Sequence, residues 1–180
     1  RQTCDNWRRW QSTLEPLDGS TPEGEVRNHG ASYRTSAAVL AVHCADRPAG
    51  AAIASLSVPW GQSKGDNDLG GYHLVWPRDM CETAGGFLAA GETARPRAML
   101  DFLRETQLPD GSWPQNMWLD GEPYWRGVQL DETGFPILLA EHLHRLGLFG
   151  ADDLALVMPM VRRAAAFLLG TGPATGEDRR

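Results

Sequence analysis

Apolar residues recur every three or four positions along most of this 180-residue chain, and this spacing limits its fold more than any other feature. Such spacing predicts amphipathic helices that each bury one face. Six helical stretches are predicted, at residues 1–15, 32–46, 77–91, 93–108, 131–146 and 152–169. Pro159, inside the last stretch, is expected to kink that helix or to mark its true start. The chain is therefore predicted to be all-α.

The connections between the predicted helices alternate between short turns and two long loops, at residues 50–71 and 112–129. Helix pairs joined by short turns close at one end, so the long loops are expected to gather at the other. This arrangement predicts part of a toroid of helical hairpins, with packing elements at its base and site loops at its rim. Because about five helices cannot close such a ring, the chain is predicted to be a fragment, in which a helix and a linker or surface loop at 1–30 precede the toroid segment.

Residues 70–79 read GGYHLVWPRD and place an aromatic ring, a guanidinium and a carboxylate within four positions at a predicted helix start. Pro77 suits the first helical position, where its missing N–H costs nothing. The Trp76 ring could cover the apolar face of a sugar, while Arg78 and Asp79 could hydrogen-bond its hydroxyl groups. The alternative is an ion pair at a helix start beside a buried tryptophan, and these residues leave both interpretations open.

The second long loop and the helix start that follows it hold a further group of candidate site residues. They are Trp113, Gln115, Asn116, Trp118, Trp125, Gln129, Asp131 and Glu132. Glycoside hydrolysis needs one carboxyl group that keeps its proton and one that is ionised. Asp79, beside Arg78, is expected to stay ionised, which suits hydroxyl binding. Asp131 and Glu132 could differ in protonation, but capping of a helix N-terminus explains Asp131 equally well and Glu132 less well.

Composition and charge argue against several other classes of protein. The net charge of -6 disfavours binding to nucleic acid or to an anionic membrane. No apolar run of helix length is evident, so no membrane-spanning helix is expected. The three cysteines show no metal-ligand spacing and are expected to be buried free thiols. Asp66, Asn67 and Asp68 could hold calcium, although a solvated loop is the favoured interpretation, and no other cofactor is indicated.

Three segments resemble the bacterial branch of glycoside hydrolase family 15, the glucoamylases and glucodextranases. They are GGYHLVWPRDM, DGSWPQNMWLDGEPYWRGVQLDE and TGPATGEDR. The likeness extends from about residue 32 to residue 178. It implies an (α/α)6 toroid of six inner and six outer helices, of which residues 31–180 would form an incomplete N-terminal portion after a linker helix. It also implies inverting hydrolysis that releases glucose from the non-reducing ends of α-glucans. In the family a helical linker joins this toroid to a β-sandwich, and Trp7 and Trp10 lie in the matching N-terminal piece.

The same resemblance implies a subsite for the terminal glucose of the substrate. Its residues would be Tyr72, Trp76, Arg78, Asp79, Trp125, Gln129 and Asp131. Arg78 and Asp79 would hold the hydroxyl groups of the sugar, and Trp125 would pack beside it. Glu132 is usual in the bacterial branch and is included among the substrate-binding candidates, but the resemblance assigns it no chemical role.

The general acid of the family is a glutamate in a Trp-Glu-Glu run that follows the Asp-Arg pair matched by Asp178 and Arg179. Here Arg180 comes next, so the general acid is expected just after Arg180. Neither of the two catalytic carboxylates is then expected to lie within the chain. The isolated chain is therefore expected to hydrolyse nothing measurable, with Glu132 or Asp131 as the fallback acid. The alternatives are a non-catalytic sugar-binding or assembly module and a trehalase-like enzyme. Linkage preference, and whether the protein is secreted or cytoplasmic, stay open.

Overall fold

The computed structural model describes residues 2–16, 29–56 and 71–172. Its helices are α1 (Gln2–Gln11), α2 (His29–Val42), α3 (Pro77–Ala89), α4 (Ala94–Thr106), α5 (Leu130–Arg145) and α6 (Ala151–Thr171). A 3₁₀ turn, Gly71–His73, precedes α3, and the antiparallel strands β1 (Asn116–Met117) and β2 (Pro123–Trp125) lie between α4 and α5. The all-α prediction is confirmed. The possible calcium loop at 66–68 and the segment 178–180 lie outside the described residues.

The helices α3 and α5 form the centre of the packing. Helix α3 contacts α2, α4 and α5, and α5 contacts α6. Met80, Ala84 and Phe87 of α3 are buried at helical spacing, as are Leu139 and Leu143 of α5. Complete burial of an apolar side chain of this size contributes about 1.5–3 kcal/mol. The buried faces therefore hold α3 and α5 together and determine which of their ends are neighbours.

Glycines in left-handed backbone conformations end both central helices at the short-turn side. Gly91, with φ of +78°, follows α3, and Gly147, with φ of +71°, follows α5. At the other side, Gly111, with φ of +93°, lies so close to the backbone of Arg163 in α6 that a Cβ atom would collide with it. These positions favour glycine because other residues are strained at positive φ. They fix the turns that set the helices side by side.

Some helix boundaries differ from the sequence-based prediction, and α1, for example, ends at Gln11 instead of residue 15. Helix α2 runs over His29–Val42 instead of 32–46, because His43 N–H bonds to Leu40 O (3.2 Å) and Cys44 N–H bonds to Ala41 O (3.3 Å), which tightens the last turn. Helix α6 begins at Ala151 and continues through Pro159, so this proline does not mark the start. Val157 and Met160 on either side of it are buried, and their packing offsets the hydrogen bond that proline removes.

Helix α6 also corrects the expectation that no apolar run is long enough to span a membrane. It has 21 residues and a mean hydropathy of 1.4 in its most apolar part. By length and composition alone, α6 is therefore long and apolar enough to cross a membrane. Val157, Met160 and Ala164 are buried, whereas Leu156 and Leu169 are exposed. One face of α6 therefore belongs to the core of this chain, and the apolar residues on its other side account for the high hydropathy.

The three cysteines are free thiols with different degrees of burial. Cys81 in α3 is buried, Cys44 is half-buried, and Cys4 is exposed on α1, a helix that buries none of its residues. The expectation of buried thiols is therefore wrong for Cys4. Burial raises the pKa of the Cys81 thiol, and the nearby carboxyl groups of Glu132 and Glu82 raise it further. Cys81 thus stays protonated at neutral pH.

Candidate functional site

The two segments that carry the predicted site residues are joined directly. Val75 and Met117 exchange backbone hydrogen bonds of 2.9 Å in both directions, which ties the segment before α3 to β1. Both residues are fully buried. The hairpin of β1 and β2 leads into α5, whose start lies beside the start of α3. The prediction that site-bearing loops meet at one end of the helices therefore agrees with the described part of both loops.

Aromatic side chains form one half of the cluster at these helix starts. The Trp76 ring centroid lies 5.9 Å from that of Trp125 in an edge-on arrangement and 6.1 Å from that of Tyr72. Trp76 donates its Nε1–H to Gly71 O at 2.9 Å, which fixes the ring. Trp76 is only 7% exposed, whereas Tyr72 is 46% exposed. The aromatic surface open to a ligand therefore comes more from Tyr72 than from Trp76.

The backbone at Trp125 is held by a buried amide. Asn116, which is fully buried in β1, accepts the Trp125 N–H on its Oδ1 atom at 3.0 Å. This bond closes the hairpin across the irregular pairing between its two strands. The position of the Trp125 ring beside Trp76 is therefore set by hydrogen bonding of the backbone as well as by ring contacts.

Charged side chains form the other half of the cluster, with Arg78 at its centre. The Arg78 guanidinium hydrogen-bonds to Asp131 and also lies 3.6 Å from a carboxyl oxygen of Asp79 and 3.6 Å from Glu132 Oε1. The hydrogen bond to Asp131 is the main reason that the pKa of Arg78 is raised above its usual range. The guanidinium is thus fixed among three carboxyl groups that come from two helices.

Asp131 makes a backbone contact at the start of α5 as well as an ion pair with α3. Its Oδ1 atom accepts the Glu132 N–H at 3.1 Å, in the first turn of α5, while its Oδ2 atom pairs with Arg78. The first contact serves a backbone donor at a helix start, where such donors lack intrahelical partners. The second contact links α5 to α3. A helix-start role for Asp131 is therefore compatible with membership of the charged cluster.

Glu132 differs from the other two carboxyl residues because its side chain is fully buried. Its Oε2 atom accepts the backbone N–H of Arg78 at 2.7 Å. Burial raises the pKa of Glu132 to about 7, and this effect outweighs the lowering by the Arg78 N–H and guanidinium. Asp131 and Asp79 add to the increase. Glu132 can therefore keep a proton near neutral pH, but it offers no surface for contact with a sugar.

Several buried oxygens in this cluster have no hydrogen-bond partner among the residues that the structure describes. They are Asp79 Oδ2, Gln129 Oε1, Glu132 Oε1 and Thr133 Oγ1. Most buried polar atoms in proteins are paired, so a local group of unpaired oxygens needs an explanation. Hydroxyl groups of a ligand are suitable donors for the partly exposed residues Asp79 and Gln129, whereas Glu132 and Thr133 are fully buried.

The remaining tryptophans of the second loop have separate positions. Trp113 is 1% exposed and donates its Nε1–H to Leu103 O at 3.0 Å, so it belongs to the core. Trp118 contacts Tyr124, whose ring centroid is 5.3 Å away, and Tyr124 in turn contacts Trp125 at 5.9 Å. Tyr124 was not among the sequence candidates. Its signal is the Asp120-Gly121 turn, which predicts a hairpin that carries Tyr124 beside Trp125.

A groove along the helices lies apart from the predicted site, and the described residues include no candidate metal cluster. Within residues 2–16, 29–56 and 71–172, no group of three or more His, Cys, Asp or Glu side chains could hold a metal ion. A groove of about 480 Å³ runs between α3 and α5 and is lined by residues such as Cys81, Leu138 and His142. It contains none of the predicted sugar-binding residues.

Comparison with known proteins places the chain in one class of enzyme. No protein-family model matches the chain. Over 73 residues, it is 33% identical to an uncharacterized glycosyl hydrolase of Methanocaldococcus jannaschii, a match that covers 41% of this chain and 12% of that protein. The fold of the helical hairpins is that of a segment of a helical-toroid glycoside hydrolase.

Two further matches identify the particular relatives. The chain is 38% identical over 175 residues to a glucoamylase of Clostridium sp. (strain G0005), covering 97% of this chain and 23% of the relative. A crystal structure of a bacterial glucoamylase complexed with acarbose matches with a TM-score of 0.75 and 37% identity, over 94% of this chain and 23% of that one. The chain is a glucoamylase-like segment that spans under a quarter of the length of these relatives, and the resemblance seen in its motifs is confirmed.

Proposed function

We propose that this chain forms the part of an exo-acting, inverting α-glucan hydrolase that holds the terminal glucose unit. The observation that carries the proposal is the fixed position of Arg78 among Asp79, Asp131 and Glu132, directly beside the Trp76–Trp125 ring pair. Aromatic surface suits the C–H face of a sugar, and charged groups hydrogen-bond hydroxyls more strongly than neutral groups do. This combination favours a sugar over an apolar ligand or a nucleic acid.

The proposed roles follow from exposure and from unused hydrogen-bonding capacity. Tyr72 is exposed at the edge of the ring group and would contact the sugar face. Arg78, Asp79 and Asp131 are partly exposed and would bind hydroxyl groups. Gln129, whose buried Oε1 atom has no partner in the described part of the chain, would accept a further hydroxyl donor. Trp125 would support the sugar from the side of the hairpin.

The same geometry supports binding without hydrolysis by this chain on its own. Asp79 and Asp131 are both engaged in ion pairs with Arg78, an arrangement that suits the binding of hydroxyl groups. Glu132 can carry a proton, but its carboxyl group is closed to solvent. An inverting hydrolase needs an accessible acid and a base about 6.5–9.5 Å apart. None of these three side chains supplies the acid.

The proposal is tested by measuring sugar binding and glucose release with the purified 180-residue chain. Calorimetric titration with maltose, isomaltose, trehalose and acarbose is expected to show binding of at least one α-glucoside, while an assay for free glucose shows no turnover. The order of affinities would also separate a glucoamylase-like preference from a trehalase-like one. Absence of binding to all four compounds would overturn the proposed site. Turnover would instead direct attention to Asp131 and Glu132 as acids.

A single substitution shows whether binding occurs at the proposed cluster. Asp79→Asn removes a charged acceptor and is expected to weaken binding about tenfold, because a hydrogen bond to a charged group contributes about 1.5–3 kcal/mol. Asp101→Asn is the matched control, since Asp101 is an exposed aspartate on α4 that pairs with Arg104. The control should bind sugar like the wild-type chain. Equal effects of both substitutions would place the binding site elsewhere.

A further inference from the structure

The first turn of α3 lacks an ordinary cap of its own. Trp76 occupies the capping position and has no side-chain oxygen to accept a backbone N–H. Pro77 follows it and carries no N–H, so Arg78 has the first free backbone donor of the helix. Glu132, from the next central helix, accepts this N–H at 2.7 Å. The start of α3 is therefore capped by a residue 54 positions further along the chain.

Glu132 also contacts the side chain of the residue that it caps. Its Oε1 atom lies 3.6 Å from the Arg78 guanidinium, whose other carboxyl partners are Asp131 and Asp79. The Glu132 side chain is fully buried, whereas those of Asp79 and Asp131 are 37% and 43% exposed. Two of the three acids can therefore meet a ligand, and the third holds Arg78 from the interior.

We propose that Glu132 is the positioning residue of the glucose site, fixing the first turn of α3 so that Arg78 and Asp79 face the sugar without itself touching it. This inference rests on the proposed function and goes beyond it, because neither the motifs nor the relatives assign Glu132 a role. A displaced first turn would move Arg78 and Asp79 together, since they are neighbours on the same turn. Misplacement of about 1 Å is enough to weaken a preorganised polar site.

The electrostatic surroundings agree with an interior role. On α3 the carboxyl group faces Arg78, Asp79 and the Cys81 thiol, and on its own helix it faces Asp131. One cation thus offsets two neighbouring carboxylates as well as Glu132. Near neutral pH a proton on Glu132 relieves part of this excess negative charge without removing the acceptor for the Arg78 N–H. The cap can therefore persist in both protonation states.

Two conservative substitutions distinguish the effect of the length of the Glu132 side chain from the effect of its charge. Glu132→Gln keeps a carbonyl oxygen at the same distance but removes the charge, and Glu132→Asp keeps the charge but withdraws it by one methylene. Acarbose affinity of the 180-residue chain, measured by calorimetry, is expected to stay within about threefold for the Gln variant and to fall about tenfold for the Asp variant. Hydrogen exchange of the Arg78 backbone amide, measured by NMR, should accelerate in the Asp variant alone.

Leu143→Ala is the control for a variant that destabilises the fold but leaves the first turn of α3 in place. Leu143 is fully buried further along α5, and its truncation is expected to destabilise the fold without changing the contact at Arg78. At matched temperature below unfolding, this variant should keep the acarbose affinity of the wild-type chain. A positioning role therefore predicts that the Asp variant differs from the Ala control in both affinity and Arg78 exchange.

Each contrary result has a distinct meaning. The inference is overturned if the Asp variant retains affinity and Arg78 protection, if it merely matches the Leu143→Ala control, or if the Gln variant loses as much affinity as the Asp variant. If the wild-type chain binds no acarbose, the proposed function fails. The exchange of the Arg78 amide then still decides whether Glu132 holds the first turn of α3.

Discussion

Tryptophan, arginine and glutamate side chains meet at both ends of α3, and the two groups use their polar atoms differently. Beyond the C-terminal end, Glu92 accepts hydrogen bonds from Trp10 Nε1 at 2.7 Å and from Arg95 at 2.6 and 2.7 Å. The Arg95 guanidinium also lies over the Trp10 ring, 4.9 Å from its centroid. Both carboxyl oxygens of Glu92 have partners. This group of Trp10, Glu92 and Arg95, called the base cluster because it lies at the base of the helices, holds α1 against the turn between α3 and α4.

The rim cluster at the N-terminal end is built from the same residue types, but two of its carboxyl oxygens lie 3.6 Å from Arg78 instead of forming a hydrogen bond. Trp76 is bonded to Gly71, and Arg78 is shared among three carboxyl groups. Glu132 Oε1 and Asp79 Oδ2 are buried without a hydrogen-bond partner in the part of the chain that the structure describes. Residue types alone therefore do not distinguish a structural cluster from a binding cluster. The exposure of the carboxyl groups does, because the side chains of Asp79 and Asp131 are 37% and 43% exposed, whereas that of Glu92 is 13% exposed.

The largest expected difference between the two clusters is in the pH dependence of stability. The folded pKa of Glu132 is about 7 and its unaltered value is 4.5. The folded state therefore binds this proton more tightly than the unfolded state, and that advantage is lost as the pH rises from about 4.5 to above 7. The free energy of unfolding should fall by about 3 kcal/mol across this range. Urea unfolding at a series of pH values measures it.

Two glutamine variants assign this pH dependence to one cluster. Glu132→Gln has no proton to lose and should remove most of the decline, whereas Glu92→Gln at the base should leave it in place. A decline that survives in the Glu132 variant would mean that Glu132 titrates alike in the folded and unfolded chain. The two clusters would then not differ in their contribution to the pH dependence of stability.

Removal of the arginine from each cluster is expected to separate binding from stability. Arg78→Ala should weaken acarbose binding about 100-fold, because it removes charge-assisted hydrogen bonds to the sugar and releases the carboxylates that it aligns. Arg95→Ala should leave the affinity within about twofold and lower the free energy of unfolding by about 1–3 kcal/mol. Calorimetry and urea unfolding measure the two effects. Loss of sugar binding in the Arg95 variant would contradict a purely structural base cluster.

Much of the helical framework was predictable because it follows from local spacing. The apolar positions that predict a helix after Pro77 are those that α3 buries, among them Met80, Ala84 and Phe87. The prediction that the long loops gather at one end follows from short turns such as those at Gly91 and Gly147. Local patterns suffice here because a helix face and a glycine turn are properties of a few neighbouring residues.

The burial of Glu132 could not be predicted in the same way. It depends on a contact with Arg78, which is 54 residues away in the chain, and on how closely α5 packs against the start of α3. Trp113 shows the same limit, since its loop sequence suggested a site residue but its ring lies in the core and bonds to Leu103. Side chains from distant segments determine burial, and burial determines whether a polar or aromatic residue binds a ligand.

The smallest expected effect comes from one matched change of tryptophan to phenylalanine at each end of α3. Trp10→Phe and Trp76→Phe each remove an indole N–H, from Glu92 at the base and from the Gly71 carbonyl at the rim. Each loss should cost about 1 kcal/mol of stability, because each leaves an acceptor without its donor. Only Trp76→Phe should also weaken acarbose binding, by about threefold to tenfold, since its ring supports Tyr72 and Trp125. Equal affinities of the two variants would show that the Trp76 ring packs the rim without orienting the sugar-binding surface, and would reduce the difference between the clusters to the charged residues alone.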